Sequence, residues 1–302
     1  EPVPYDIPPG IQFEIDPSNL NQRRLNEQSL ALEVCGLEDG DAKAAYRNIN
    51  FDMRMYNRLR MYVHAEAGNL DEILNDGDLN VFVRLGSDYD QNYYEFEIPI
   101  SPTPLGLASY PPEEIWPAVN EIDIDLDSLR SLSLDKLRNR YVLEQDGASG
   151  VYSVIENGRR LSVKGNPTLS NVVTVMVGVR NPDKDLNERL HPSDDGQPKC
   201  AEIWVNELRL TGFNEEGGWA TVAQANATLA DLANVSVAAN MSVPGWGGLE
   251  QRVQERQRET LQGIDANGTI QLGKLLPDKL GVTLPMYVGY SNQTSTPQFD
   301  PL

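Results

Sequence analysis

The chain has 302 residues, with 45 Asp and Glu against 25 Lys and Arg, so its formal net charge is −20. That balance excludes a phosphate-backbone binder, which needs clustered Lys and Arg, and a basic-patch anchor on an anionic membrane surface, so no nucleic acid is expected as a partner. An apolar content of 40% supports a core; no run of about 18 apolar residues marks a transmembrane helix, and barrel strands, which need only about ten alternating residues, stay open.

The chain starts at Glu1 and ends at Leu302 without a leader or a polar tail, which reads as the interior of a longer protein. Residues 1–27 read as an extended lead-in arm. Pro2, Pro4, Pro8, Pro9 and Pro17 oppose helix and central strand, and Tyr5, Ile7, Ile11, Phe13 and Ile15 alternate, as in a segment lying against a larger body.

Residues 28–213 read as a β-sandwich, most simply a jelly roll. Strands are predicted over 29–35, 48–56, 59–65, 80–85, 93–100, 121–126, 151–155, 161–163, 172–179 and 201–210, rich in Val, Ile, Tyr and Phe between Gly, Asn, Asp and Pro. Asn157-Gly158 predicts a type I′ hairpin. The one helical spacing, Leu129, Leu132, Leu134 and Leu137, predicts a helix over 126–141.

Residues 214–302 change character. The stretch 219–248 carries one charge, Asp231. Ala223, Ala225, Ala227 and Leu229 alternate with Gln224, Asn226 and Thr228. Val235, Val237, Ala239, Met241 and Val243 alternate with Asn234, Ser236, Asn240 and Ser242. Ala266, Gly268, Ile270 and Leu272, then Val282, Leu284, Met286 and Val288, repeat the idea. Segments of about ten residues, apolar on one face and uncharged polar on the other, fit antiparallel strands of a large transmembrane barrel. The valine set is then the lipid face, and Gln224, Asn226, Thr228, Asn234, Ser236, Asn240 and Ser242 are the lumen face. Trp219 and Trp246 stand where an interfacial aromatic belt would lie. Residues 249–262 read as a charged loop. A second soluble sandwich would alternate too, but it would usually carry Lys or Glu on the polar face.

Five Asn-x-Ser/Thr sequons, at Asn226, Asn234, Asn240, Asn267 and Asn292, are better read as a polar strand face than as glycosylation sites, because side chains repeat with period two. The carboxylates at Glu121, Asp123, Asp125 and Asp127 fail the EF-hand pattern, with Ser128 and Leu134 where Gly and Glu are needed. These residues, and Asn75-Asp76-Gly77-Asp78, admit a structural Ca²⁺ without specifying one, and no other cofactor is expected. His64 and His191 stand apart from any nucleophile elbow, P-loop or zinc motif, so no catalytic residues are assigned. Tyr89, Tyr93 and Trp116 raise the competing reading, a carbohydrate-binding surface module; paired carboxylates in a cleft would be a glycosidase. Cys35 closes the first predicted sandwich strand and Cys200 opens the last. First and last jelly-roll strands commonly neighbour each other, so a disulfide is expected, and with it an oxidising compartment; two buried thiols are the alternative.

Many short stretches together resemble one family. They are Leu37-Glu-Asp-Gly-Asp-Ala-Lys-Ala-Ala-Tyr46, Arg60-Met-Tyr-Val-His-Ala-Glu66, residues 77–89, Asn92-Tyr-Tyr-Glu-Phe-Glu-Ile-Pro99, Gly165-Asn-Pro-Thr-Leu-Ser170 and Ala201-Glu-Ile-Trp-Val-Asn-Glu-Leu-Arg-Leu210. Gly218-Trp-Ala, Leu229-Ala-Asp-Leu-Ala-Asn-Val235 and Ser295-Thr-Pro-Gln-Phe-Asp-Pro301 extend the pattern to the end. The chain is similar to the Sov/SprA family of giant cell-surface proteins. That resemblance implies the outer-membrane translocon of type IX secretion, linked to gliding motility, in which folded cargo proteins pass through a very large barrel. It implies as partners a smaller outer-membrane barrel shuttle protein, a periplasmic plug and a peptidyl-prolyl isomerase, in contact with outer-membrane lipid, and no catalytic residues. The sandwich would lie outside the bilayer, periplasmic or extracellular.

Overall fold

The computed structural model describes residues 3–11, 28–68, 73–138, 150–187 and 194–299. Phe13, Ile15, Pro17, His191 and Tyr141 therefore lie outside the described residues. The chain divides into two compact units, Glu1–Phe213 and Asn214–Leu302.

Among the described residues the first unit holds two antiparallel sheets. One has four strands, β1 (Leu30–Leu37), β10 (Lys199–Phe213), β3 (Tyr56–Ala67) and β6 (Ile122–Asp125), in that spatial order. The other has six: β2 (Ala42–Phe51), β9 (Val172–Arg180), β4 (Asn80–Gly86), β5 (Tyr93–Pro99), β8 (Arg159–Lys164) and β7 (Val151–Glu156). Setting aside the β7–β8 hairpin leaves the orders 1-10-3-6 and 2-9-4-5, in which successive strands cross between sheets except at the β4–β5 hairpin. That interleaving is a jelly roll. The hairpin turns at Asn157 and Gly158, both with positive φ (51° and 74°), as a type I′ turn requires.

The core follows the period of two. Leu59, Met61, Val63 and Ala65 of β3 and Ala201, Ile203 and Val205 of β10 face Val81, Val83 and Leu85 of β4 and Tyr94, Phe96 and Ile98 of β5 in one buried cluster. Each buried Val, Leu, Ile, Phe or Met side chain contributes roughly 1.5–3 kcal/mol. A helix, α1 (Leu126–Arg138), adds Leu129 and Leu132 to that cluster.

Two predicted boundaries are corrected. Residues 48–56 are not one strand: the chain turns at Asp52-Met53-Arg54, where Arg54 N–H donates to Asp52 Oδ1 (3.0 Å) and Tyr56 N–H to Met53 O (3.1 Å). Met53 and Met55 are buried from a turn, so their apolarity resembles strand patterning. In addition, β2 begins six residues earlier than read, at Ala42. It is an edge strand whose side chains are mostly exposed, so it carries no hydrophobic alternation to read.

The outer face of the six-stranded sheet is sealed by charge. Glu97 is fully buried and takes Asn80 Nδ2–H (2.7 Å), Arg180 and, at 3.6 Å, Arg160. Glu95 pairs with Arg84 and Arg180. The guanidiniums lie over rings, Arg84 over Tyr93 at 3.9 Å and Arg180 over Phe82 at 4.9 Å. Burial opposes the charge on Arg180, yet Glu95 and Glu97 hold its pKa above the ordinary arginine value. Phe82 in turn lies on Gly178, where a Cβ would have no room. Lys199 is buried between Asp78 (3.0 Å) and Asp195 (2.9 Å).

Cys35 and Cys200 form a disulfide between β1 and β10, with Cα atoms 4.0 Å apart. It sits at the irregularity where the register passes from Val34↔Ala201 to Leu37↔Lys199.

Two outcomes are expected. Mass spectrometry without reductant should find Cys35 and Cys200 in one linked peptide, and replacing both by Ala should cost about 3–5 kcal/mol, since a 165-residue loop is released; ready alkylation of both thiols would contradict the bond. Arg180→Met leaves Glu97 and Glu95 short of a counter-charge and should destabilise the sandwich by about 3 kcal/mol in urea unfolding, whereas Arg58→Met, an exposed partner of Asp123, should cost under about 1 kcal/mol.

Candidate functional site

The second unit is a four-stranded antiparallel meander, β11 (Ala220–Leu229), β12 (Ala233–Ser242), β13 (Glu259–Gln271) and β14 (Pro285–Pro297). A tight turn with Ala230 at φ 45° joins β11 to β12. The register is unbroken across all three ladders, so each row of opposed residues shares one face.

One face is apolar. Its rows are Leu229, Ala233, Ile270 and Met286; Ala227, Val235, Gly268 and Val288; Ala225, Val237, Ala266 and Tyr290; and Ala223, Ala239, Ile264 and Asn292. These four rows span about 20 Å along the strands. The next row, Thr221, Met241, Gln262 and Thr294, is mixed. The residues predicted as lipid-facing, Val235, Val237, Ala239 and Met241, stand together here. Val243 follows the strand, its N–H donating to Trp219 O at 3.0 Å.

The other face is polar. Gln224, Asn226, Thr228, Asn234, Ser236, Asn240 and Ser242 all fall on it, joined from β13 and β14 by Thr269, Asn267, Ser291, Gln293 and Ser295. Asn240 lies across Gly263, where a Cβ would collide with its amide. Four of the five sequons, at Asn226, Asn234, Asn240 and Asn267, place Asn and Ser or Thr on this face, and Asn292 lies on the apolar one.

Neither face is covered by described residues. Val235, Val237, Ile264, Met286, Val288 and Tyr290 remain 37–58% exposed. Trp219 and Trp246, also exposed, mark the same end of the sheet, since Trp246 N–H donates to Val243 O (3.2 Å) beside Trp219.

The strands differ from the reading in three places. The charged segment ends sooner than 262, because β13 begins at Glu259, and this strand brings Asp265 onto the polar face. Val282 and Leu284 precede β14, which runs instead through Ser291–Thr296. A stretch with so few apolar residues shows no alternation, so only its ladder to β13 reveals it. Val222 and Leu261 fall on the polar face against the pattern.

In the first unit the aromatic residues considered for a sugar platform do not assemble. Tyr93 is buried beneath Arg84, Trp116 is buried beside Trp204, and Tyr89 stacks on Tyr46 at 5.1 Å. His64 is buried, with Nδ1–H donating to Ile115 O at 2.8 Å. The candidate calcium carboxylates are engaged: Asp123 with Arg58 and Arg60, Asp125 with the Asp127 N–H, and Asp78 with Lys199 and Asn75. Among the described residues no group of three or more His, Cys, Asp or Glu is arranged to hold a metal ion, and no helix is long and apolar enough to cross a membrane.

A search of curated proteins finds no match. A family model described as motility related/secretion protein, SprA_N, matches residues 1–302. With the resemblance carried by its short stretches and the match extending over the whole length, the chain belongs to the SprA family of motility-related secretion proteins.

Proposed function

We propose that this protein is part of the outer-membrane translocon of type IX secretion, and that β11–β14 are a section of its barrel wall. One observation carries the reading: a continuous antiparallel meander, apolar on one face and polar on the other, with neither face covered by described residues. Strands of 10–13 residues have the length a tilted barrel strand needs. Trp219 and Trp246 at one end suit an interfacial girdle. The disulfide suits an oxidising compartment outside the cytoplasm, and the secretion family supports the envelope setting.

The mechanism is passage, with no bond made or broken. Asn, Gln, Ser and Thr hydrogen-bond water well, so a lumen wall built from them stays wet and offers a folded cargo protein little apolar surface to adhere to. The acidic jelly roll, outside the bilayer, repels anionic surfaces. A smaller outer-membrane barrel shuttle protein, a periplasmic plug and a peptidyl-prolyl isomerase are the partners this role calls for.

Lipid photolabelling of the native protein in its membrane, one position at a time along β12, should mark Val235 and Val237 and spare Asn234 and Ser236. No labelling at any position would make the sheet part of a water-facing assembly and the proposal wrong.

The two faces should also respond differently to charge. Asn234→Lys with Asn240→Lys should slow export several-fold while leaving assembly intact, because the lumen tolerates charge. Val237→Arg, on the lipid face, should cost about 2–4 kcal/mol and lower the amount of assembled protein. Equal effects from both, by secretion assay and membrane fractionation, would contradict the assignment of faces.

A further inference from the structure

The outer face of the four-stranded sheet in the jelly roll is covered by a peptide. Tyr62, His64 and Glu66 project from this face of β3, opposite Asn206, Trp204 and Glu202 of β10. The segment Thr103–Trp116 forms a second wall. Thr103 N–H donates to Ala65 O (2.7 Å), and Thr103 Oγ1 donates to Glu114 O (2.9 Å).

Val3–Ile11 runs between these walls. Its main chain is held at three points: Val3 N–H donates to Glu66 Oε2 (3.0 Å), Trp116 Nε1–H to Asp6 O (2.8 Å) and Tyr62 O–H to Pro9 O (3.0 Å). Its side chains are engaged as well. The Tyr5 ring meets Trp116 edge-on at 6.2 Å and Trp204 at 5.9 Å, and its hydroxyl accepts from Asn206 Nδ2–H (2.9 Å). Val3 is buried with Ile115, Trp116 and Trp204, and Pro8 is buried too.

This is the chemistry by which aromatic grooves take polyproline-type chains. Such a chain has no internal hydrogen bonds, so its carbonyls are free to accept, and indole N–H and phenol O–H groups supply donors on flat apolar surfaces. The strap contributes nothing to the main core, whose cluster closes between the two sheets without any of its residues. It packs instead in a separate cluster, with Val3 against Ile115, Trp116 and Trp204.

We propose that this face is a peptide-binding groove for an extended segment of the pattern apolar-Pro-aromatic followed three residues later by Pro-Pro. Val3–Ile11 is its intramolecular occupant, and a segment of the same chemistry supplied in trans displaces it. The inference is independent of the barrel reading. A tethered occupant has an effective concentration of order millimolar, so a free peptide competes only once the strap is weakened.

The test uses the full chain carrying Tyr5→Ala, titrated with an acetylated, fluorescein-labelled peptide of residues 3–11 and followed by anisotropy. Binding should saturate at least tenfold more tightly than to the unaltered chain, whose own strap competes. Adding Tyr62→Phe, which removes the bond to the Pro9 carbonyl, should weaken it roughly fivefold. A folded Tyr5→Ala chain that binds the peptide no better than the unaltered one would overturn the proposal. So would binding indifferent to Tyr62→Phe. Collapse of the near-UV circular dichroism in Tyr5→Ala alone would also overturn it, because the strap would then be part of the fold and not a displaceable occupant.

Discussion

A β-strand turns successive side chains to opposite sides, so every sheet in this protein has two faces and each face needs a partner of its own polarity. The whole structure can be understood as answers to that demand. The inner faces of the two jelly-roll sheets answer each other, with Met61, Val63 and Ile203 against Val83, Phe96 and Ile98. The outer face of the six-stranded sheet answers itself, because its arginines are long enough to cross neighbouring strands and reach Glu95 and Glu97. The outer face of the four-stranded sheet takes an extended segment of the chain. Only the meander of the second unit has an apolar face that no described residue covers, and the proposed barrel setting is the answer offered for it.

Strand β10 shows how closely these answers are coupled. It lies between β1 and β3. Its inward residues Ala201, Ile203 and Val205 fill the core, and its outward residues Trp204 and Asn206 form the floor under the strap. At its start, Cys200 ties it to β1 and Lys199 ties it to Asp78 beside β4. A buried ammonium between two carboxylates tolerates no slippage, and a one-residue shift would turn Ala201, Ile203 and Val205 outward. Register, core and outer face are therefore fixed by one strand.

Much of this was legible from residue order alone. Alternation placed β4, β5, β9, β11 and β12, and the Asn157-Gly158 dipeptide placed a hairpin, because these signals are local. What escaped was non-local. Ala42–Arg47 pairs with β9 through its backbone while exposing most of its side chains, so no pattern announces it. Ser291–Thr296 is strand only because β13 lies beside it. Met53 and Met55 are apolar for a reason that belongs to the core and not to a strand. On the candidate site, the two faces of β11 and β12 follow from period two, while Asp265 and Val222 on the polar face could be assigned only from the ladder. The groove was least legible of all: Trp116, Trp204 and Tyr5 are far apart in sequence, and only the pairing of β3 with β10 brings their surroundings together.

The edges of the second sheet carry the argument one step further. Among the described residues β11 and β14 each pair on one side alone, which leaves a row of peptide N–H and C=O groups along each outer edge. In water such an edge is merely an aggregation hazard. In hydrocarbon it is prohibitive, since each unpaired group costs several kcal/mol and a ten-residue strand exposes several of them. A wall section with these two faces is therefore viable in a membrane only if further strands continue its ladders on both sides until they close. The apolar face and the open edges thus impose the same requirement by different physics, one through burial of surface and the other through hydrogen bonds. A large closed barrel would pair every edge and keep the polar face in water, whereas a small sheet standing in lipid covers its apolar face but leaves its edges unpaired and its polar face in hydrocarbon.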